Sequence, residues 1–384
     1  MQYKKWCKDN LNEKKLLIIS DPISAESVQF RFLNNIIAKL SDRFLIDVYT
    51  TYVDAEVRNS VRGANLIGRQ RRFLLYRLYK RMFGNNEGVL WAYSWILHFF
   101  FKFNSGEVAR NCPNGVHDSI LNIAQTIPVD CDIYWGQSVP LDHTLLGMRP
   151  TTPILRLLPN LFIKIIGRID RKFIRSISMM GKIVVTNSYY TKSIYENLGV
   201  RVHSVVYSVP DLFSFKPVPT SNESKYVLAY IGKETEIDTV LDIARMGVRV
   251  VTFGAKIPTG SQIQELKRLT EFKGYVPKEV LISLYSNAIF TLFPFTHEPF
   301  GYVPLESISC GTPVLTYKKQ GPSETVTEGV SGWLANNRTE LINKAIQIWN
   351  SKQKMQIGED VQNAARDFAK FGSNQEITAL LITS

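Results

Sequence analysis

One strand–loop–helix–strand unit, between Ile289 and Gly332, constrains the fold of this 384-residue chain more than any other stretch. The run Ile289 to Phe293 (IFTLF) is short and nearly all apolar, as expected for a parallel strand buried on both faces. A Pro-Phe-Gly turn follows, and the pattern then predicts a helix over Val303 to Ser309. Gly311 stands at its C-terminus and Pro313 opens the next strand, Val314 to Tyr317. Such a unit leaves a loop at the carboxyl end of a buried strand, where open α/β sheets bind ligands.

The rest of the chain repeats the alternation. The first strand is expected over Lys14 to Ser20, then an amphipathic helix to about Leu40 and a strand Phe44 to Thr50. Cys131 to Gly136 and Thr152 to Leu158 read as further strands, and Asn160 to Met180 as a long basic helix. A strand and a helix capped by Ser188 and ended near Gly199 follow. After a Pro- and Ser-rich linker, Tyr226 to Gly232 opens a second series. Two short segments follow it, VRVVTFG and FKGYV, and then a helix opening near Pro277 and Lys278. Alternating strands and helices imply α/β domains with doubly wound parallel sheets. The length suits two of them, with boundaries at 1–207, 208–224 (linker), 225–365 and a terminal helical piece over 366–384. Helical pattern runs over Asn363 to Leu381.

Charge separates the two halves. Residues 1–205 hold 28 Lys+Arg against 16 Asp+Glu, whereas residues 206–384 hold 18 of each, so the whole net charge of +12 lies in the first half. Between Val57 and Asn86 stand eight basic residues and no acidic one, interleaved with Leu74, Leu75, Leu78 and Met82 at helical spacing. Two readings are open. In one, Arg69, Arg71, Arg72, Arg77 and Arg81 meet an anionic membrane surface; in the other, the helix packs its apolar face on the domain core. The longest apolar run, Leu90 to Phe101, falls short of the ~18–20 residues that span a bilayer. The opening MQYKKWCKDN has no apolar signal core, and four scattered cysteines lack metal or redox spacing. These features suit a cytoplasmic protein, free or peripheral at the membrane. Asp130 and Asp132 form a D-x-D pair, but at the mouth of a buried strand, where a structural role outweighs metal binding.

Two carboxylates give the organising stretch its chemistry. Glu298 lies in the loop and Glu306 about one turn inside the helix, so both can address one crevice. The amides of Phe300, Gly301, Tyr302 and Val303 lie at the helix N-terminus, which attracts an anion such as phosphate. A carboxylate beside a phosphate is repulsive unless it binds hydroxyls, and sugar or ribose diols supply those.

The segment EPFGYVPLESISCGTPVLTYKKQGPSETVTEGVSGWL resembles the retaining glycosyltransferases of the GT-B fold, family 4 type (glycosyl transferases group 1). Glu298, Phe300, Gly301, Glu306, Gly311, Pro313, Val314, Gly321, Glu324, Glu328, Gly329 and Gly332 fill the family pattern in order. The resemblance implies two Rossmann-like domains facing a central cleft and a metal-independent transfer, with the nucleotide-sugar donor as a substrate and no cofactor. It implies that Glu298 contacts the transferred sugar and Glu306 the ribose, while the amides of Phe300 to Val303 hold sugar and diphosphate. Lys233 stands where the family has a basic residue on the diphosphate; no second lysine follows it, and Lys256, Lys318 and Lys319 are the substitutes at hand. The loop from Asp21 to Ser27, expected beneath the phosphates, lacks the usual glycine pair. For the histidine that many members place near the anomeric centre, His117, His143 and His297 are the candidates; His297, beside Glu298, is best placed. The implied acceptor is a lipid-linked sugar, glycolipid or polysaccharide. Alternatives on the same fold are a catalytically inactive binding module, a nucleotide-sugar epimerase or an enzyme on nucleic acid, the last the least favoured partner.

Overall fold

The computed structural model describes residues 14–23, 28–50, 53, 55–67, 108, 112, 115–137, 139–141, 159–208, 212–219, 226–232, 235–254, 261–351, 354–371 and 374–383. The segment carrying Arg69 to Arg81, the expected strand Thr152 to Leu158, and Lys233, His143 and Lys256 lie outside them.

In chain order the first sheet takes β1 (Lys14–Ser20), β2 (Phe44–Thr50), β3 (Ala64–Leu66), β4 (Ser119–Asn122), β5 (Cys131–Gly136), β6 (Gly181–Thr186) and β7 (Ser204–Val205). Its order is β3-β2-β1-β4-β5-β6-β7. The helices among these strands are α1 (Val28–Leu40), α2 (Ala55–Ser60), α3 (Asn160–Ser178) and α4 (Tyr189–Asn197). The second sheet takes β8 (Val227–Tyr230), β9 (Val250–Phe253), β10 (Glu271–Phe272), β11 (Phe290–Phe293), β12 (Val314–Tyr317) and β13 (Gly332–Ala335), in the order β10-β9-β8-β11-β12-β13. Its helices are α5 (Ile237–Arg245), α6 (Ser261–Leu269), α7 (Lys278–Asn287), α8 (Tyr302–Ser309) and α9 (Arg338–Ser351), followed by α10 (Glu359–Phe371) and α11 (Asn374–Thr383). At the centre of each sheet the pairing is parallel: β1 pairs with β2 and β4, and β8 with β9 and β11.

The chain divides into two compact units. One comprises Met1–Gly136, Ser176–Val185 and Asn374–Ser384; the other comprises Gln137–Arg175 and Thr186–Ser373. In the first, Leu17, Ile19, Tyr49, Ala124 and Ile127 share an apolar core. The second is covered on both faces of its sheet, for a reason visible in the strands. Side chains alternate, so Val227, Ala229, Phe290 and Leu292 meet α5, α6 and α9, while Leu228, Phe293 and Val314 meet α7, α8 and α10. Each fully buried Val, Leu or Phe among them contributes roughly 1.5–3 kcal/mol.

Among the described residues, the expected elements reappear with small shifts. Strands Lys14–Ser20, Phe44–Thr50 and Cys131–Gly136 have the predicted ends. Helix α8 opens at Tyr302, one residue before the predicted start. Strand β3, inside the basic stretch, was not legible: its three residues show no alternation long enough to read.

Candidate functional site: a carboxylate loop at a sheet switch point

Strand order reverses between β8 and β11, the topological switch point at whose carboxyl ends open α/β sheets bind ligands. The first loop is fastened at once. Gly232 N donates to Thr235 Oγ1 at 2.7 Å, Thr235 forms a bridge with Phe295, and Glu236 N donates to Pro294 O at 2.9 Å. Glu236 accepts from the hydroxyls of Thr239 (3.1 Å) and Tyr317. That carboxylate thus anchors β12 to α5.

The second loop carries Glu298. Gly321 N donates to Glu298 O at 3.0 Å, and Glu298 N donates to Gln320 Oε1 at 3.3 Å. Buried Gln320 is held in turn by Thr316 Oγ1 at 3.0 Å. The loop is so closely layered on the 3₁₀ turn Gly321–Glu324 that a Cβ on Gly321 would lie 2.0 Å from Pro299 O. Gly301, the N-cap of α8, has φ +84°, and a Cβ there would fall 2.9 Å from Pro322. Only glycine fits that backbone without strain. The carboxylate of Glu298 reaches back to its own loop, with Phe300 N donating to Oε1 at 3.5 Å. The Phe300 side chain is in the core, against Tyr207 and Tyr302, so what it offers a ligand is its amide.

Glu306 differs from Glu298. It is 2% exposed on the second turn of α8, where Tyr285 Oη of α7 donates to Oε2 at 3.0 Å. Glu298 is half-buried on the loop. The eight-residue spacing therefore places one carboxylate on the half-buried loop and the other inside the packing of α8. Cys310 is buried close by, and burial together with Glu306 pushes its thiol up to about 12, which makes it inert.

His297 is exposed, with φ +63°. A non-glycine residue in that region costs about 1–2 kcal/mol, so contacts must hold it there. One of them is a hydrogen bond between His297 Nδ1 and Tyr190 Oη at 3.0 Å. Burial and the Glu298 charge push the Tyr190 phenol up to about 12. Helix α4, which carries Tyr190, begins on a third acid of the stretch, Glu324. Glu324 accepts from Tyr189 N (2.9 Å), Tyr190 N (2.8 Å) and Tyr207 Oη (3.1 Å), while Ser188 caps Thr191 N at 2.9 Å. A carboxylate on two N-terminal amides meets the positive end of the helix.

Basic groups near the site are placed unevenly. Lys318 and Lys319 are exposed after β12. Lys354 and Arg366, unremarked in the sequence, serve helix C-termini instead. Lys354 Nζ donates to Ser286 O and Thr312 Oγ1, each at 2.7 Å, and burial lowers it to about 8. Arg366 Nη1 donates to Ser309 O at 2.5 Å, at the end of α8.

Of the other candidates, His117 sits before β4, at the amino end of the strand, with Nε2 2.8 Å from Asp47 Oδ2. That is the sheet edge opposite to ligand-binding loops, which removes it as a catalytic candidate. Asp132 accepts from Ile120 N at 2.8 Å and Lys182 Nζ at 2.6 Å, a structural use of the D-x-D pair. Among the described residues no group of three His, Cys, Asp or Glu is arranged to hold a metal ion. In the loop after β1, Asp21 turns inward and accepts from Gln125 N (2.8 Å), Thr126 N (3.0 Å) and Thr126 Oγ1 (2.5 Å). It staples the loops after β1 and β4, the switch point of the first sheet.

Comparison with known proteins adds a family likeness for one segment and a likeness of backbone for most of the chain. Residues 257–368 match the family model described as glycosyl transferases group 1. The chain is 34% identical over 104 residues to a D-inositol 3-phosphate glycosyltransferase of Acidothermus cellulolyticus, covering 24% of this chain and 23% of that protein. It is 35% identical over 78 residues to a GDP-mannose-dependent α-(1-6)-phosphatidylinositol dimannoside mannosyltransferase of Mycobacterium tuberculosis, covering 20% of each. The matched segment thus spans about a quarter or less of these relatives. Solved structures extend the likeness of the backbone. Anabaena HepE in complex with UDP and glucose superposes with a TM-score of 0.64 at 16% identity, covering 97% of this chain and all of that one. WaaG, a glycosyltransferase involved in lipopolysaccharide biosynthesis, does so with a TM-score of 0.61 at 15% identity, covering 96% of this chain and all of that one. The chain has the GT-B fold, and its segment 257–368 is similar to the glycosyl transferases group 1.

Proposed function

We propose that this protein is a retaining, metal-independent glycosyltransferase that moves a sugar from a nucleotide-sugar donor to an acceptor hydroxyl. The observation that carries it is the switch-point loop. It sets Glu298 and the amides of Phe300 to Val303 at one end of α8 inside a segment that matches glycosyl transferases group 1. Transfer requires the departing diphosphate to be neutralised, the positive sugar centre to be stabilised and the acceptor hydroxyl to be held close. The helix N-terminus and Lys233 suit the first requirement. Glu298 suits sugar hydroxyls, and the negative charge beside the reacting sugar favours the cationic centre. Glu306 is assigned to the nucleoside ribose, a role that requires its buried carboxylate, held by Tyr285, to become accessible to the diol. His297 lines the donor side. HepE, with UDP-glucose or with UDP and glucose in its solved complexes, supports a donor of this class.

For the acceptor, the basic first half supports an anionic or membrane-presented glycan or glycolipid, with Arg69, Arg71, Arg72, Arg77 and Arg81 at the lipid. No helix among the described residues is long and apolar enough to cross a membrane. The test is incubation of purified protein with UDP-, GDP- and ADP-sugars, with the anomeric configuration of the product read by proton NMR. Turnover with the donor's configuration is expected. Inversion would remove the retaining assignment, and an absence of donor binding or turnover across the panel would favour the inactive module.

A further inference from the structure

We infer that Tyr190 is a positioning residue for the Glu298 loop, acting through His297; the inference rests on the donor-site reading above. His297 is the single non-glycine residue with a positive φ among the described residues, and it immediately precedes Glu298. Its backbone conformation decides which way the next residue leaves, and hence where the Glu298 carboxylate points. Relaxation of φ to a negative value would swing Glu298 away from Phe300 N. Tyr190 Oη holds the imidazole at 3.0 Å and is close enough to Glu298 for that charge to disfavour its ionisation.

The anchor for this contact is firm. Tyr190 is the second residue of α4, and its own amide is bound by Glu324 at 2.8 Å. Glu324 ends the 3₁₀ turn that begins at Gly321, whose amide in turn holds Glu298 O at 3.0 Å. The circuit is closed: Glu298, His297, Tyr190, Glu324 and Gly321 return to Glu298. The carboxylate is thereby fixed from both sides of its own peptide, by Tyr190 through the side chain of His297 and by Gly321 through the backbone. Preorganising a group against sugar hydroxyls acts on turnover more than on fold.

The test compares wild type with Tyr190→Phe, His297→Ala, His297→Asn and the double variant Tyr190→Phe/His297→Asn. Asparagine tolerates the left-handed backbone and can accept from the tyrosine hydroxyl. Tyr190→Phe is expected to lower kcat about tenfold or more with a small change in donor KM, as for loss of orientation rather than of binding. His297→Asn should keep more turnover than His297→Ala. The double variant should be no slower than Tyr190→Phe, because the two residues form one contact. Unchanged kcat in Tyr190→Phe, or independent losses in the double variant, would overturn the inference. Hydrogen–deuterium exchange of the amides of residues 296–298, 300 and 301 provides a readout that needs no donor. Tyr190→Phe should speed their exchange while the amides of β11 stay protected. If the wild type turns over no donor, the functional reading fails while exchange still judges the contact; unaltered exchange there rejects it.

Discussion

At the scale of single residues, the two acids singled out by spacing prove unlike in environment. Glu298 is anchored by backbone and half-buried, whereas Glu306 is packed under Tyr285. Sequence spacing placed both on the right element, but it could not tell the loop surface from the helix interior, because that depends on α7, which supplies Tyr285 from elsewhere in the sequence. Asp21 shows the same limit: a loop expected near phosphate holds a carboxylate that burial raises to about 6, against its ordinary 3.8. Between these values the folded state keeps a proton that the unfolded chain releases. This contribution is therefore fully present below about pH 4 and is lost as pH rises through 6. The loss runs at up to about 1.4 kcal/mol for each pH unit crossed in that window. Asp21→Asn should remove that component, so urea unfolding between pH 4 and 6 should show a stability slope more positive than that of wild type. Lys354 has the opposite linkage. Its lowered folded value makes the unfolded chain the better proton binder between about 8 and 10.5, so its contribution to stability rises with pH there.

At the scale of elements, the strand–loop–helix unit was the most legible part of the chain, since its period, its glycine and its prolines each point to one geometry. Gly301 carries the sharpest consequence. Its φ of +84° and the nearness of Pro322 predict that Gly301→Ala destabilises the protein by about 1–3 kcal/mol in chemical denaturation and weakens donor binding, since the start of α8 must move. What the local pattern did not show is how α4 is tied to the unit. Ser188 was readable as its cap, but Glu324, 134 residues beyond Tyr190, supplies the second and third acceptor contacts of that helix. Such contacts have no local signature. Lys354 and Arg366 at helix C-termini were hidden for the same reason.

At the scale of the whole molecule, alternation implied parallel sheets but not their strand order, and each observed order has its switch point beside the first strand of its sheet. The two switch points are used differently. In the first sheet Asp21 fastens the adjoining loops, and in the second the corresponding loops present Glu298 and the α8 amides. The charge division belongs to this scale as well. The +12 carried by residues 1–205 predicts co-sedimentation with vesicles containing anionic lipid, weakened by salt and by neutralising Arg69, Arg71, Arg72, Arg77 and Arg81 together. Equal binding to neutral vesicles, or binding unaffected by the five substitutions, would remove the membrane-presented acceptor. The central claim is tested most directly by initial rates of sugar release or transfer from the nucleotide-sugar panel, for wild type and Glu298→Gln side by side. Turnover by the wild type, with a loss of about a hundredfold or more in Glu298→Gln at matched thermal stability, is the predicted result. Equal rates in the two proteins would contradict it.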